Sequence, residues 1–338
     1  MRTEWFSCRS EAAALLLLLL LAVPASAQEH RAPPGMEGVR VTDPLDGHQF
    51  QVFVPASTNG LGGFDADGCS YAKGQQPRAW SIVTSPTTLF SAPIERWKEP
   101  IPEDRKPALM ELLLGVGRDV EDARSLSPAD KYELAAAVAR ELGASEFEVG
   151  QLYLQGAWTV RDTIVGFLPG VQGASDAWGK MIETLPMVKE LTEPRGRTIA
   201  LFDMARLAHR GGFVNERSDY MTLVEQVPDA GLGAADKRAE FLRRVEAEDR
   251  LLRKAREVFR AGLEADGGHP EDRGWIRFLD GELTRRLGDL DGARTILEGV
   301  ELDPGSNEHT KAMAKDVLAV LKVQATAVTV QPAAPQTP

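Results

Sequence analysis

Residues 275–304 read WIRFLDGELTRRLGDLDGARTILEGVELDP. Small and large apolar positions alternate at helical spacing through this stretch, and the spacing has a physical reading. Gly281 and Ala293 are small where two helices of a hairpin would cross closely. Gly288 and Asp289 would make the turn between them, since glycine enters the left-handed conformation that ends a helix. Leu297 would fill the next groove, Val300 continues the stripe, and Asp303-Pro304 closes the unit. The segment therefore predicts a tight pair of helices.

The same periodicity extends towards the N-terminus. Ala255 and Phe259 repeat the Ala-x-x-x-aromatic step 38 residues before Ala293 and Leu297. Gly281, Gly288, Ala293, Leu297 and Pro304 stand at tetratricopeptide positions, although that repeat's period of roughly 34 residues is not kept. One complete unit and one partial unit are expected, with Asp280 standing where the motif ordinarily has Leu. Further back, Leu109, Leu112, Leu113 and Val116 fall at i, i+3, i+4 and i+7. Ser127-Pro128-Ala129-Asp130 is a helix start, whose stripe is Leu134, Ala135, Val138 and Leu142 before Gly143. Ser145-Glu146-Phe147-Glu148 opens another helix, which Pro169-Gly170 ends. Helices are also expected over 175–190, 197–210, 215–227 and 234–265, the last with Glu240, Arg244, Glu248 and Lys254 on a solvated face.

Residues 41–100 differ in kind. Val, Phe, Thr and Tyr occur there in short runs between Gly, Pro, Asn and Asp. Gln49–Val54 alternates polar and apolar, the period of a half-buried strand. Trp80–Thr84 is a second strand candidate, and Asn59–Gly63 a loop. The expected fold is mainly α, with a small N-terminal β-rich unit at 41–100 and a helical tetratricopeptide-like domain at 107–322. Residues 28–40, with Pro33-Pro34-Gly35, read as a flexible lead-in, and 323–338 as a disordered Pro-rich tail.

Residues 1–27 read as a secretory signal. Arg2 and Arg9 precede an apolar run from Ala12 to Val23, Pro24 breaks it, and Ala25-Ser26-Ala27 offers the small residues of a cleavage site. The run is too short to cross a bilayer, which takes about 20 residues of helix. Export to the periplasm or outside of a bacterium is expected, with a mature chain beginning near Gln28 and no integral membrane span. Cys8 would leave with the signal, so Cys69 would remain alone, a small packed residue and no disulfide partner. The 338-residue chain carries 50 acidic against 39 basic residues, a net charge of −11, which argues against nucleic-acid binding.

The stretch 42–97 resembles the N-terminal region of a bacterial family of unknown function. The residues that carry the resemblance are Asp43–Phe50, Phe64-Asp65-Ala66-Asp67 with Tyr71, and Ser85-Pro86-Thr87-Thr88. In the helical half they are Leu152–Trp158 with Arg161-Asp162, and Leu279–Gly288. The family couples a zinc-ribbon-like module, built on two CPxC knuckles, to a tetratricopeptide-like helical half. The resemblance implies that fold here without its metal. The first knuckle is Asp43-Pro44-Leu45-Asp46-Gly47 and the second Ser85-Pro86-Thr87-Thr88, so all four thiolate positions are replaced. Carboxylates and hydroxyls are poor zinc ligands. If a metal were kept, Asp43, Asp46, His48, Asp65 and Asp67 would be its oxygen and nitrogen donors, in a site suited to a hard cation.

Other chemistry is not signalled. No His-Glu-x-x-His, no nucleophile elbow and no phosphate-cradling glycine loop occurs. His48, isolated before a strand, reads as a surface histidine, and Trp158, Trp178 and Trp275 as helix core. No catalytic residue and no cofactor is expected. The function expected is a non-enzymatic scaffold with a protein partner, the alternative being a carboxylate-based hydrolase or a metal-binding module centred on the N-terminal unit.

Overall fold

A computed structural model describes residues 35–120, 122–228, 231–265 and 270–326. The signal segment, most of the lead-in and residues 327–338 lie outside the described residues, whereas 323–326, read as the start of the tail, continue the last helix. The chain is mainly helical, with a small β region of two ladders near its N-terminus.

Strand β1 (Met36–Thr42) pairs antiparallel with β2 (Gln49–Pro55), in a register that sets Val39 opposite Val52 and Val41 opposite Phe50. Strand β3 (Ile82–Thr84) pairs antiparallel with β4 (Ser91–Pro93). The lead-in read over 28–40 is therefore too long, because Met36–Arg40 belongs to β1. Val39 and Val41 gain a partner face on β2, a non-local pairing that the neighbouring Pro33-Pro34-Gly35 conceals in the sequence. The second strand is also shorter than read. Residues Pro77–Trp80 form a 3-10 turn, with Pro at its first position, before β3 begins.

Ten helices follow. They are α1 (Lys106–Gly117), α2 (Pro128–Glu141), α3 (Glu146–Val165), α4 (Ala174–Glu190), α5 (Pro194–Gly211), α6 (Val214–Gln226), α7 (Ala234–Glu264), α8 (Pro270–Arg286), α9 (Leu290–Leu302) and α10 (Glu308–Thr326). The capping boxes at Ser127/Asp130 and Ser145/Glu148 form reciprocally, fixing where α2 and α3 start. The 31-residue α7 is the spine; it packs along α3 and then against α8.

Three larger cores result. One joins the β ladders to α1 and α2 around Phe90, Trp97, Leu109 and Val138. A second sets Cys69 and Tyr71 of the β unit among α3–α7. A third fills the space between α3, α7 and α8–α10. In the last, the close approach read at Gly281 is present. A Cβ there would lie 2.8 Å from the Leu297 side chain, nearer than packed atoms come. Asp289 caps α9 by accepting from the Gly292 amide at 2.9 Å. Asp280 is an ion-pair residue: Arg256 reaches it at 2.8 Å and Arg260 at 3.0 Å from α7.

Candidate functional site

Two chain corners meet in the β unit. In the first, Asp43 Oδ1 accepts the amides of Leu45 at 2.7 Å and Asp46 at 3.4 Å. In the second, Ser85 Oγ accepts those of Thr87 and Thr88, both at 3.1 Å. Each corner then closes on a strand in the same way, Asp43 N–H to the His48 carbonyl and Ser85 N–H to the Phe90 carbonyl, both at 2.8 Å. The fifth residue of each is left-handed, Gly47 at φ 77° and Leu89 at φ 63°. Glycine takes that conformation freely, whereas Leu89 is strained there by about 1–3 kcal/mol.

The corners are tied to each other by oxygens. Thr88 Oγ1 donates to Asp43 Oδ2 at 2.6 Å, and Thr87 Oγ1 to Asp46 Oδ2 at 2.7 Å. His48 is exposed, its amide bonded to Asp46 Oδ1 and its ring stacked on Phe50. Asp65 and Asp67 have other partners altogether, so the five candidate metal ligands do not share one site. Among the described residues no group of three or more His, Cys, Asp or Glu side chains is placed to hold a metal ion.

Asp65 and Asp67 instead anchor a buried ionic network between the β unit and the helices. They lie in a short loop closed by the Asp65 amide on the Cys69 carbonyl at 2.8 Å. Gly63 lets this loop touch the helical body, since a Cβ there would collide with the Gln172 backbone. Asp65 receives Arg210 Nε at 2.7 Å, the Tyr71 hydroxyl at 2.8 Å, Arg161 Nη1 at 3.0 Å and Arg286 Nη2 at 3.2 Å. Asp67 faces Arg161 Nη2 at 2.8 Å and accepts Trp158 Nε1 at 3.1 Å. Glu248 of α7 holds Arg161 Nε at 2.8 Å and His209 Nε2 at 2.7 Å. Glu282 of α8 holds Arg285 at 2.8 Å and Arg286 at 2.9 Å.

Four carboxylates and four guanidiniums thus balance, with side chains no more than 4% exposed. Burial alone would raise the Glu248 carboxyl, but Arg161 and His209 beside it hold it at about 2. Asp67 is likewise kept ionised, Arg161 and Arg286 outweighing its burial. Burial pushes the Cys69 thiol up to about 12, so it stays protonated, with Arg78 at 2.6 Å from its sulfur. At one edge Arg78 meets Asp162 of α3 at 3.2 Å without hydrogen-bond geometry. Burial lifts the Asp162 carboxyl to about 7.

This network was hidden in the sequence. Glu248, read as a solvated position on α7, is 1% exposed, because it lies on the same stripe as Val245 and Leu252. Arg161 falls between Ala157 and Ile164 on the buried face of α3. A charge inside an apolar stripe was the available signal for both.

Beside the network opens a cleft of about 580 Å³. Phe64 and Trp275 stand on its walls, with Met313, Val317 and Val320 of α10, and Arg285 and Asp65 border it. All three tryptophans read as core are half-buried, and Trp275 is stacked on Phe278 at 5.2 Å. Trp178 packs edge-on to Phe213, and Trp158 bonds Asp67. No helix among the described residues is long and apolar enough to cross a membrane.

Comparison with known proteins gives no match to any protein-family model, curated protein or solved structure.

Proposed function

We propose that this protein is a non-enzymatic protein-interaction scaffold of the bacterial periplasm or cell envelope, which receives an apolar peptide segment of its partner in the cleft between Phe64, Trp275 and α10. Its helical half is tetratricopeptide-like, and its N-terminal unit is a ribbon-like module that keeps the knuckle shape without zinc. The observation that carries the reading is the cleft itself. Its walls carry Phe64, Trp275, Met313, Val317 and Val320, with Asp176, Arg285 and Asp316 among them as charged groups, the mixture of apolar surface and a few polar groups that recognition sites have, and Phe64 remains 61% exposed. The neutralised ions beside it hold the walls in place. Catalysis by Asp65 and Asp67 is disfavoured by their surroundings: both carboxylates are buried and committed to guanidiniums, which leaves neither a free face towards a substrate.

The test is capture from envelope extract by the full chain and by Met313→Lys, with bound proteins identified by cross-linking at the cleft. A discrete partner held by the wild type and lost at least tenfold by the variant is expected. Equal retention by both chains would refute the cleft as the binding surface.

The metal-free reading of the corners has its own test. Purified wild type should carry no stoichiometric zinc. The variant with Cys at positions 43, 46, 85 and 88 should take up one zinc per chain. A wild-type chain that holds a metal, or a four-cysteine variant that takes up none, would remove the ribbon reading.

A further inference from the structure

Residues 327–338 continue the chain from α10 and read AVTVQPAAPQTP, without one charged side chain. Pro332 and Pro335 stand three apart, the spacing that puts two prolines on one face of an extended polyproline helix. Proline-rich segments of this kind dock on apolar grooves lined by aromatic rings, because the stiff extended chain loses little entropy on binding. The cleft supplies such a groove, with Phe64 on one wall, Trp275 held by its stack on Phe278, and Met313, Val317 and Val320 along α10. Ser175 and His309 border it with polar groups able to donate to the carbonyls of an extended chain.

The lengths agree. Val320 lies about 9 Å and Met313 about 20 Å back along α10 from Thr326, at the helical rise. The six residues from Thr326 to Pro332 reach at most about 20 Å when extended, and Pro335 about 10 Å further. A segment that left α10 and doubled back along it would be long enough to bring both prolines to the cleft. Tethering raises its local concentration to the millimolar order, so weak contacts suffice.

We infer that the cleft is a site for a proline-rich segment and that its resident occupant is residues 331–338 of the same chain, folded back along α10. The tail is then a competitor that an incoming partner segment must displace. This rests on the reading of the cleft as a peptide site.

The probe is a fluorescein-labelled synthetic peptide of residues 327–338, titrated by fluorescence anisotropy against the full chain and against a variant ending at Thr326. The shortened chain should bind the peptide saturably, and the full chain at least tenfold more weakly. Replacing Pro332 and Pro335 by Ala in the peptide should weaken binding at least fivefold. Met313→Lys in the shortened chain should abolish it with an unchanged circular dichroism spectrum, and Trp275→Ala serves as the second variant. No saturable binding to the shortened chain, equal binding to both chains, or indifference to Met313→Lys would overturn the inference. So would dimerisation of the full chain that disappears on truncation, which would make a second copy's tail the occupant. A partner that needs the cleft, together with a peptide that does not bind, would leave the scaffold reading standing and remove only this one.

Discussion

Arg161 joins three parts of this molecule. Its guanidinium meets Asp65 and Asp67 of the β unit and Glu248 of α7, all out of solvent. Removing one member of such a network leaves the others charged and uncompensated, which costs about 3–5 kcal/mol. Arg161→Met should therefore lower the unfolding free energy by about that amount in a urea titration. A loss within experimental error would mean that the ions are not coupled. Acid should act in the same place. The Glu248 carboxyl, held at about 2 against an ordinary 4.5, adds stability above the ordinary value that disappears as the pH falls towards 2.

Asp162 works in the opposite sense. Its carboxyl is raised to about 7 from 3.8, so between those values the native chain keeps a proton that the unfolded chain has released. Its contribution to stability therefore falls as the pH rises through that window and is level above it. Asp162→Asn should remove this slope, so that the variant gains on the wild type between pH 5 and pH 8 in denaturant titrations. Parallel curves would show that the carboxyl titrates at its ordinary place.

At the scale of elements, the two corners show how one kind of turn is made with different side chains. Each corner needs an acceptor at its first residue for two backbone amides, and Asp43 and Ser85 both provide one. The bond from Thr88 to Asp43 then links corner to corner through a nearly buried carboxylate. Thr88→Val should cost about 1–3 kcal/mol, the range for a charged hydrogen bond lost from a buried group. Faster amide exchange in β3 and β4 than in α7 would locate the loss; a uniform change would place it elsewhere. The helical pair α8–α9 is held differently, by close approach. Gly281→Leu would drive a side chain into Leu297 and should unfold α8–α10 before the β ladders, as limited proteolysis would report.

At the scale of the whole molecule, the β unit and the helices share cores and ions, and the cleft forms where the Asp65 loop, α8 and α10 come together. Its walls are contributed by residues more than 200 positions apart, Phe64 and Trp275 among them. That separation explains why the cleft left no mark in local patterns, while the corners did. Asp43-Pro44-Leu45-Asp46-Gly47 and Ser85-Pro86-Thr87-Thr88 are legible because each turn is made by its own few residues. The ion network is intermediate. Charges on the stripes of α3 and α7 can be noticed, but their partners cannot be assigned until the helices are packed.

Periodicity and capping determined most of the helices, because a helix closes its hydrogen bonds within itself and its ends are set by neighbours such as Ser127 and Asp130. The tertiary structure alone decided that β1 begins at Met36, that Glu248 is buried, and that Asp65 and Asp67 face arginines and not a shared ion with Asp43. Each of these depends on a partner far along the chain. The free energy of a charge or a strand edge is settled by what covers it, and a run of neighbouring residues does not carry that information.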